Sequence, residues 1–437
     1  MMVGERSVEL GQLIDEAPLS RTQIGVILLC SLGIFTDGYD MQAIGLAAPE
    51  LARELSVAPT QLGLSFSAGV VGMALGSLTL GPLADRFGRR PLMIAMMFLM
   101  GIASIATATA SRLTELMAWR FATGLGLGAL VPIAITLTAE FVPTRRRAAL
   151  VTIMIGTISI GAIVASIVAP LIIAHFGWRG IFAIGGIVPI ALGILYCFIL
   201  PESPRTLLHR NPADPGLSRL LSRILGREAP PVHLAVRAGE GKGGLPLLFS
   251  SEFVGRTILL WLVWALNLFV NFALASWLPT FLTSAGWAQA DALRAVGIMA
   301  SGGLLGGVLM SWLVDKGYFI RPLMIAYLIA AGALFGFTVL PAQHWGYLIA
   351  AIGVGAFGSQ LTIGAVAATF YPAAIRATGL GWGGGVGRVG SIIGPSAFGL
   401  MVAAGATTSA TLAILILPML ICAACVTVMG RYVGTAR

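Results

Sequence analysis

Ionisable side chains are scarce in the apolar stretches of this sequence. Asp37, Asp40, Arg120 and Arg388 stand inside such stretches, and Glu140 lies at the end of one. A charged group at the centre of a bilayer costs about 2.5–3.5 kcal/mol on insertion scales, so such residues are rare and usually functional. Their chemistry is acid–base and electrostatic, because a carboxylate can take up a proton and a guanidinium can hold an anion.

Asp40 and Arg120 are expected to pair. At 1.5 Å per helical residue, Asp40 lies about 25 Å from the start of the first apolar stretch, and Arg120 about 10 Å from the opposite start of the fourth, so their depths match. Burial favours the protonated form of a carboxylate and a neighbouring arginine opposes it, and the balance can bring titration into the physiological range. We predict a proton-coupling site; the alternative is a permanent ion pair that only fixes two helices.

Asp37 precedes Asp40 by one helical turn and lies on nearly the same face. Two carboxylates this close cannot both stay ionised cheaply, which favours one shared proton. We therefore include Asp37 in the proton-coupling site. The alternative is a hydrogen-bond acceptor that orients its helix.

Arg388 lies roughly 16 Å into the eleventh apolar stretch, near mid-membrane. Its planar guanidinium can bind a carboxylate with two parallel hydrogen bonds. The stretches from 255 onwards contain no acid predicted to lie within the bilayer. The partner of Arg388 is then either Asp37 or an incoming anion, and we predict a substrate carboxylate; the alternative is a structural pair with backbone carbonyls or an acid.

Aromatic and amide side chains at similar depths are candidates for substrate contact. Asn267 and Asn271 are four residues apart and share a helix face. Amides beside aromatic rings suit a ring that carries hydroxyl groups. For each aromatic residue, packing or lipid contact is the competing interpretation. The candidate set is Phe35, Tyr39, Asn267, Asn271 and Gln360.

The composition excludes an ordinary soluble protein. Hydrophobic residues make up 57% of the 437 residues and charged residues 10%, against roughly 45–50% and 25% in soluble chains. Twelve apolar stretches are long enough to cross a bilayer as helices. We expect an all-α membrane protein whose spans are 23–49, 60–83, 92–110, 113–140, 149–174, 179–200, 255–283, 291–314, 321–340, 344–371, 377–403 and 407–430.

Charge predicts the orientation of the chain. Most of the 27 Lys and Arg residues fall on the side that carries both termini, which the positive-inside rule assigns to the cytoplasm. The net charge of +9 is therefore a topology signal and not a nucleic-acid surface. No cleavable signal peptide is expected. The predicted units are a cytoplasmic segment 1–22, a six-helix bundle 23–200, a cytoplasmic linker 201–254, a second bundle 255–430 and a tail 431–437.

The two predicted bundles repeat one another. Asp85-Arg86-Phe87-Gly88-Arg89-Arg90-Pro91-Leu92-Met93 recurs in altered form as Asp315-Lys316-Gly317-Tyr318-Phe319-Ile320-Arg321-Pro322-Leu323-Met324, about 230 residues later. Glu140-Phe141-Val142-Pro143 recurs as Thr369-Phe370-Tyr371-Pro372. Parallel repeats with a site at their mid-membrane interface are typical of secondary transporters.

Three motifs carry a resemblance to a known family. The signature loop of the major facilitator superfamily resembles Gly81-Pro82-Leu83-Ala84-Asp85-Arg86-Phe87-Gly88-Arg89-Arg90. The segment that follows helix 6 in the sugar and organic-acid branches of that superfamily resembles Pro201-Glu202-Ser203-Pro204-Arg205. Asp37-Gly38-Tyr39-Asp40 is similar to the signature of the aromatic acid:proton symporter family. The resemblance implies the major facilitator fold of two pseudo-symmetric six-helix bundles. It also implies a proton site that matches Asp40 and Arg120.

A second charged cluster is expected at the cytoplasmic helix ends. It comprises Asp85, Arg89, Arg90, Glu140 and Arg147. Such a network can lock an inner gate when the protein faces outward. The competing interpretation is a solvated face that only sets topology. The loop of the second half loses the Gly-Arg pair, which weakens any symmetrical role for the two loops.

The sequence therefore predicts a proton-coupled importer of a small aromatic carboxylate, such as a hydroxybenzoate, working by alternating access in a bacterial inner membrane. The alternatives are a symporter of another organic anion or a sugar, and a proton-coupled drug exporter. No enzyme activity, cofactor or metal is expected. The pair Cys422-Ala-Ala-Cys425 has no second pair of ligands and lies in a bilayer helix, and the four histidines lie in loops or at helix ends. The expected partners are the substrate, protons and lipid, and the expected state is a monomer.

Overall fold

In the computed structural model of the protein, nearly the whole of the described chain is helical. The structure describes residues 8–211, 214–228, 230, 232–233, 245–318, 320–371 and 373–433. The elements of the first half are β1 (Val8–Glu9), α1 (Leu10–Glu16), α2 (Arg21–Glu54), α3 (Pro59–Phe87), α4 (Arg89–Thr109), α5 (Leu113–Phe141) and α6 (Thr144–Ile199).

The remaining elements form the linker and the second half. The linker contains α7 (Pro204–Arg210), α8 (Pro215–Leu225), β2 (Val232–His233) and α9 (Leu245–Leu248). The second half contains α10 (Val254–Ser284), α11 (Gln289–Asp315), α12 (Ile320–Val339), α13 (Trp345–Ile352), α14 (Gly358–Phe370), α15 (Ala373–Ala403), α16 (Thr408–Ile414) and α17 (Ile416–Val433). A π-helical turn, Gly353–Phe357, joins α13 to α14.

The predicted membrane fold is confirmed. Within the described residues, 11 helices are long and apolar enough to cross a membrane. One of them, α6, contains two predicted spans, because Gly177 breaks the helix with a φ of 62° and a ψ of −171°. Glycine lacks the Cβ that makes such a conformation unfavourable. The protein is thus a multi-pass membrane protein with twelve spans.

The N-terminal segment and the linker contain short regular elements. β1 pairs in parallel with β2 over two residues each, a small exception to an all-helical chain. Along α8, apolar residues recur at helical spacing and are buried, namely Leu217, Leu220, Leu221 and Ile224. They share a hydrophobic cluster with the buried residues of α1. Residues 1–7, 212–213, 229, 231, 234–244 and 434–437 of the predicted terminal and linker segments lie outside the described residues.

Small residues let helices within each half approach closely. α3 packs on α5 at Gly128, where an added Cβ would lie 2.0 Å from the Met73 carbonyl oxygen. In the second half, α11 packs on the π-helical turn at Gly353, where a Cβ would lie 2.2 Å from the Met299 carbonyl oxygen. Such contacts are typical of helices that associate inside a membrane. They hold each half together as one packed bundle.

The two halves meet on the side of the membrane opposite the termini. Ser67, eight residues into α3, donates a hydrogen bond of 2.6 Å to the Ile392 carbonyl oxygen and lies 2.6 Å from the Ser396 hydroxyl. Phe66 makes an edge contact with Trp277, with ring centroids 5.5 Å apart. Because α3 begins on the side opposite the termini, these contacts close that side of the interface.

The contact between α2 and α6 offers a test of the packing. A Cβ on Gly38 would lie 1.9 Å from the Ile158 carbonyl oxygen, so Gly38→Ala must push the two helices apart. Overpacking of this kind costs about 1–3 kcal/mol. We expect a clearly lower unfolding temperature in detergent. Gly25→Ala in the same helix is the matched control, because nothing lies within 4 Å of its added Cβ; equal unfolding temperatures for the two variants would contradict the packing argument.

Candidate functional site

Asp40 and Arg120 form a bidentate ion pair between α2 and α5. Arg120 donates from Nη1 to Asp40 Oδ1 at 2.8 Å and from Nη2 to Asp40 Oδ2 at 2.7 Å. The two residues are 1% and 4% exposed. Parallel hydrogen bonds of this type are the strongest arrangement for an arginine and a carboxylate. The structure thus brings together the two residues whose depths were predicted to match.

Asp37 is buried one turn away but is held differently. Its side chain is 1% exposed, and its Oδ1 atom has no hydrogen-bond partner among the described residues. The carboxyl group is near enough to Asp40 and to Arg388 for electrostatic interaction with both. A buried carboxyl group without a partner is costly unless it binds a proton or an approaching cation. Asp37 therefore differs from Asp40, whose two carboxylate oxygens both accept hydrogen bonds from Arg120.

Arg388 projects from α15 in the second half. Its side chain is partly exposed, and its interaction with Asp37 is electrostatic. Among the described residues, no hydrogen bond or ion pair to its guanidinium is found. The planar donors of Arg388 are therefore available to an anion. Asp37 in the first half and Arg388 in the second half are thus close enough to interact electrostatically.

The three predicted amide residues form a group between α10, the π-helical turn and α14. Asn267 donates from Nδ2 to Gln360 Oε1 at 2.8 Å. Asn271 donates from Nδ2 to the Ala356 carbonyl oxygen at 3.3 Å. The Oδ1 atoms of both asparagines are buried and have no hydrogen-bond partner in the described part of the chain. π-helical turns frequently occur at functional sites, and this one supplies the carbonyl group that orients Asn271.

Of the two predicted aromatic residues, Tyr39 is held by a contact within the first half. The Tyr39 hydroxyl donates to the Ile181 carbonyl oxygen at 3.1 Å, and the side chain is 8% exposed. The ring is thus held between α2 and the second part of α6. Phe35 is partly exposed, and its carbonyl oxygen would lie 2.1 Å from a Cβ on Gly161. The backbone of this helical turn faces α6 within the first half.

Two members of the predicted charged network, Arg89 and Glu140, pair at the end of the first half that carries the termini. Arg89 Nη2 lies 3.0 Å from Glu140 Oε1, and both side chains are 10% exposed. Ser203 donates to Glu140 Oε2 from the Pro-Glu-Ser-Pro-Arg segment. Glu202 Oε1 accepts from the backbone N–H groups of Arg89 and Arg90 at 3.1 and 3.2 Å. These contacts tie α4, α5 and the start of the linker together.

The other members of the predicted network are not seen to pair with Glu140 in the described part of the chain. The Arg90 guanidinium donates from Nη2 to the Cys197 carbonyl oxygen at 2.6 Å. Arg147 is partly buried, and its Nε atom has no hydrogen-bond partner among the described residues. The side chain of Asp85 lies outside the part of the chain that the structure describes.

Several residues in these contacts were not singled out from the sequence. Glu202 and Ser203 belong to the Pro-Glu-Ser-Pro-Arg motif, and that motif could have indicated their part in the network. Gln23 was not foreseen, yet it is fully buried and donates from Nε2 to the Phe141 carbonyl oxygen at 2.6 Å. Phe182 lies with its ring 5.5 Å from the Arg120 guanidinium carbon. No group of metal-binding residues is found within the described residues.

Comparison with known proteins agrees with this architecture. The sequence profile of the Major Facilitator Superfamily matches residues 30–395. The 4-hydroxybenzoate transporter PcaK of Acinetobacter baylyi is 35% identical over 400 residues, covering 89% of this chain and 87% of that protein. A gallate transporter of Pseudomonas putida is 32% identical over 403 residues, covering 91% and 90%.

A similar fold occurs among solved structures. A bacterial homologue of the human lysosomal transporter Spinster, crystallised in an inward-facing and unoccupied conformation, superposes with a TM-score of 0.72. Its sequence is 18% identical, and the alignment covers 95% of this chain and 98% of that one. At this identity the likeness concerns the fold.

Proposed function

The chain belongs to the Major Facilitator Superfamily, and we propose that it is a proton-coupled importer of a small aromatic carboxylate. The observation that carries the proposal is the arrangement of the buried residues Asp40, Arg120 and Asp37 beside the partly exposed Arg388. It joins a bidentate pair to an unpaired acid and an available guanidinium. The names of the relatives, which are transporters of 4-hydroxybenzoate and gallate, support an aromatic acid as the substrate.

Arg388 is assigned to the substrate carboxylate. Its fork of donors fits a planar carboxylate, and the amide group of Asn267, Asn271 and Gln360 lies in the same half of the protein. The unpaired amide oxygens are suited to accept hydrogen bonds from hydroxyl groups on a ring. A hydroxybenzoate would satisfy both kinds of contact.

Proton uptake and anion binding are coupled through Asp37. Arg388 interacts electrostatically with Asp37 when the site is empty. A substrate carboxylate bound to Arg388 would neutralise the guanidinium that otherwise interacts with Asp37. Asp37 would then face only Asp40. Binding of a proton by this pair of carboxylates would become more favourable. By linkage, a proton on this pair must then strengthen anion binding to the same degree. One proton and one carboxylate would enter together.

Transport would proceed by rocking of the two halves about the central site. Contacts such as Ser67 with Ile392 close the side opposite the termini, which by the positive-inside rule faces away from the cytoplasm. The network of Arg89, Glu140 and Ser203 would stabilise the first half at its cytoplasmic end. The proposed location is a bacterial inner membrane with both termini cytoplasmic, and the proposed working unit is a monomer.

Uptake into proteoliposomes tests the function. Radiolabelled benzoate, hydroxybenzoates, a sugar and a cationic drug are presented with and without an inward proton gradient. Concentrative uptake of an aromatic acid only with the gradient is the expected result. Accumulation of the sugar, or outward movement of the drug, would identify one of the alternative transporters instead. Uptake of the acid that ignores the gradient would contradict proton coupling.

A further inference from the structure

The ring of Phe182 contacts the cation of the proposed proton site. The Arg120 guanidinium carbon lies 5.5 Å from the centroid of the Phe182 ring, which is fully buried. A cation within about 6 Å of an aromatic face is attracted by the negative potential of that face. Arg120 therefore contacts both a carboxylate on α2 and the face of an aromatic ring on α6.

The ring is held in place by contacts that do not involve Arg120. The Phe182 carbonyl oxygen accepts a hydrogen bond of 2.9 Å from the Ser104 hydroxyl. Trp178 makes an edge contact with the ring at 5.9 Å and 81°. Trp178 is itself fixed, because its Nε1 atom donates to Glu54 Oε2 at 2.7 Å. The position of the aromatic face is thus set by the bundle and not by the ion pair.

Proton transport creates a problem that this ring can solve. In the ion pair, Arg120 is compensated by both oxygens of Asp40, and its one other hydrogen bond within the described residues is a 3.5 Å contact to the Asp40 carbonyl oxygen. When Asp40 takes up a proton, a buried cation remains without a counter-ion. An uncompensated charge in such a place is strongly unfavourable.

We propose that Phe182 is a positioning residue that stabilises the Arg120 cation while Asp40 is protonated. This inference rests on the proposed proton coupling. The ring face contributes more when the carboxylate is neutral than when it is charged, so it favours the protonated state of the pair. The other charged or titratable groups that face the pair are Asp37 and Tyr39 on α2 and, through Asp37, Arg388 on α15.

A double-mutant cycle in the purified, full-length protein tests the proposal without transport. Phe182→Leu is measured in the wild type and in Asp40→Asn, where the neutral amide imitates the protonated acid. We expect Phe182→Leu to lower the unfolding temperature by about 1–5 °C more in the Asp40→Asn background. Equal losses in both backgrounds would show that Phe182 only fills space and would overturn the proposal.

A second variant keeps the shape of the ring. Trifluorophenylalanine at position 182 weakens the negative potential of the ring face while preserving packing. It should therefore reproduce the additional decrease in unfolding temperature that Phe182→Leu causes in the Asp40→Asn background. Removing the cation as well, in Asp40→Asn with Arg120→Met, should abolish the difference between phenylalanine and the fluorinated ring. A difference that persists without the arginine would also overturn the proposal.

The pH dependence of uptake links the ring to coupling. Because loss of the aromatic face disfavours the protonated state, the fluorinated variant should shift the midpoint of uptake to lower pH by about half to one unit. An unchanged midpoint would refute the coupling role. Wild-type uptake that shows no pH dependence would instead refute the proposed function, while the unfolding cycle would still decide whether Phe182 stabilises an unpaired Arg120.

Discussion

Asp40→Asn is expected to abolish accumulation of substrate against its gradient while leaving exchange of substrate across the membrane. Asparagine fills the same space but cannot carry a proton, so the step that couples the proton gradient to uptake is lost. Exchange needs only binding and rocking of the halves. Proteoliposomes loaded with unlabelled substrate measure exchange, and empty proteoliposomes with an imposed proton gradient measure accumulation.

Asp291→Asn provides the matched control for this loss. Asp291 also pairs with an arginine, Arg294, at 3.2 Å, but both side chains are more than half exposed. Exposed pairs of this kind contribute little to stability. The control should accumulate substrate as the wild type does. If Asp40→Asn still concentrated substrate, the proton would have to be carried elsewhere, with Asp37 as the next candidate.

The features that the sequence predicted well depend on length and depth alone. A bilayer fixes how many apolar residues each helix needs, so spans could be counted before any packing was known. The same counting along two antiparallel helices placed Asp40 and Arg120 at one level, and they form a bidentate pair in the structure. Counting residues along the helices predicts relative depth here because both residues belong to the same helical bundle.

The direction in which each side chain points from its helix was harder to predict. Tyr39 follows Asp37 and Gly38 in sequence, yet its hydroxyl group bonds to Ile181 within the first half. The Tyr39 ring packs against Gly185 of α6, where an added Cβ would lie 3.0 Å from Tyr39 Cε1. A single sequence does not reveal which face of α2 meets that glycine. The role of Tyr39 in substrate contact therefore remains a prediction that its hydrogen bond does not favour.

Contacts formed by irregular backbone were also beyond the sequence. The stretch 344–371 was predicted as one continuous span, whereas the structure inserts a π-helical turn at Gly353–Phe357. That turn supplies the Ala356 carbonyl oxygen that orients Asn271. The helical spacing of Asn267 and Asn271 was visible in the sequence. The acceptor of the Asn271 hydrogen bond was not, because it depends on the π-helical turn. The linker 201–254 was predicted only as a cytoplasmic connection, and its helix α8 was not foreseen.

Arg388→Lys is expected to weaken binding of the aromatic acid by roughly tenfold or more, and Arg388→Ala to weaken it further. Lysine retains the charge but loses the planar fork that binds both carboxylate oxygens. A charge-assisted pair of hydrogen bonds of this type contributes about 1.5–3 kcal/mol. Calorimetric titration of the purified protein with the acid measures the loss directly.

The neutral amide analogue of the substrate separates recognition from cavity shape. It has nearly the size of the acid but no negative charge, so it should bind the wild type poorly and lose little in either variant. Arg294→Lys, at an exposed arginine, should leave the affinity for the acid unchanged. Equal losses for acid and amide would mean that Arg388 shapes the cavity without binding the carboxylate. A loss confined to the acid would place the substrate anion on α15, where it can compete with Asp37 for the same cation.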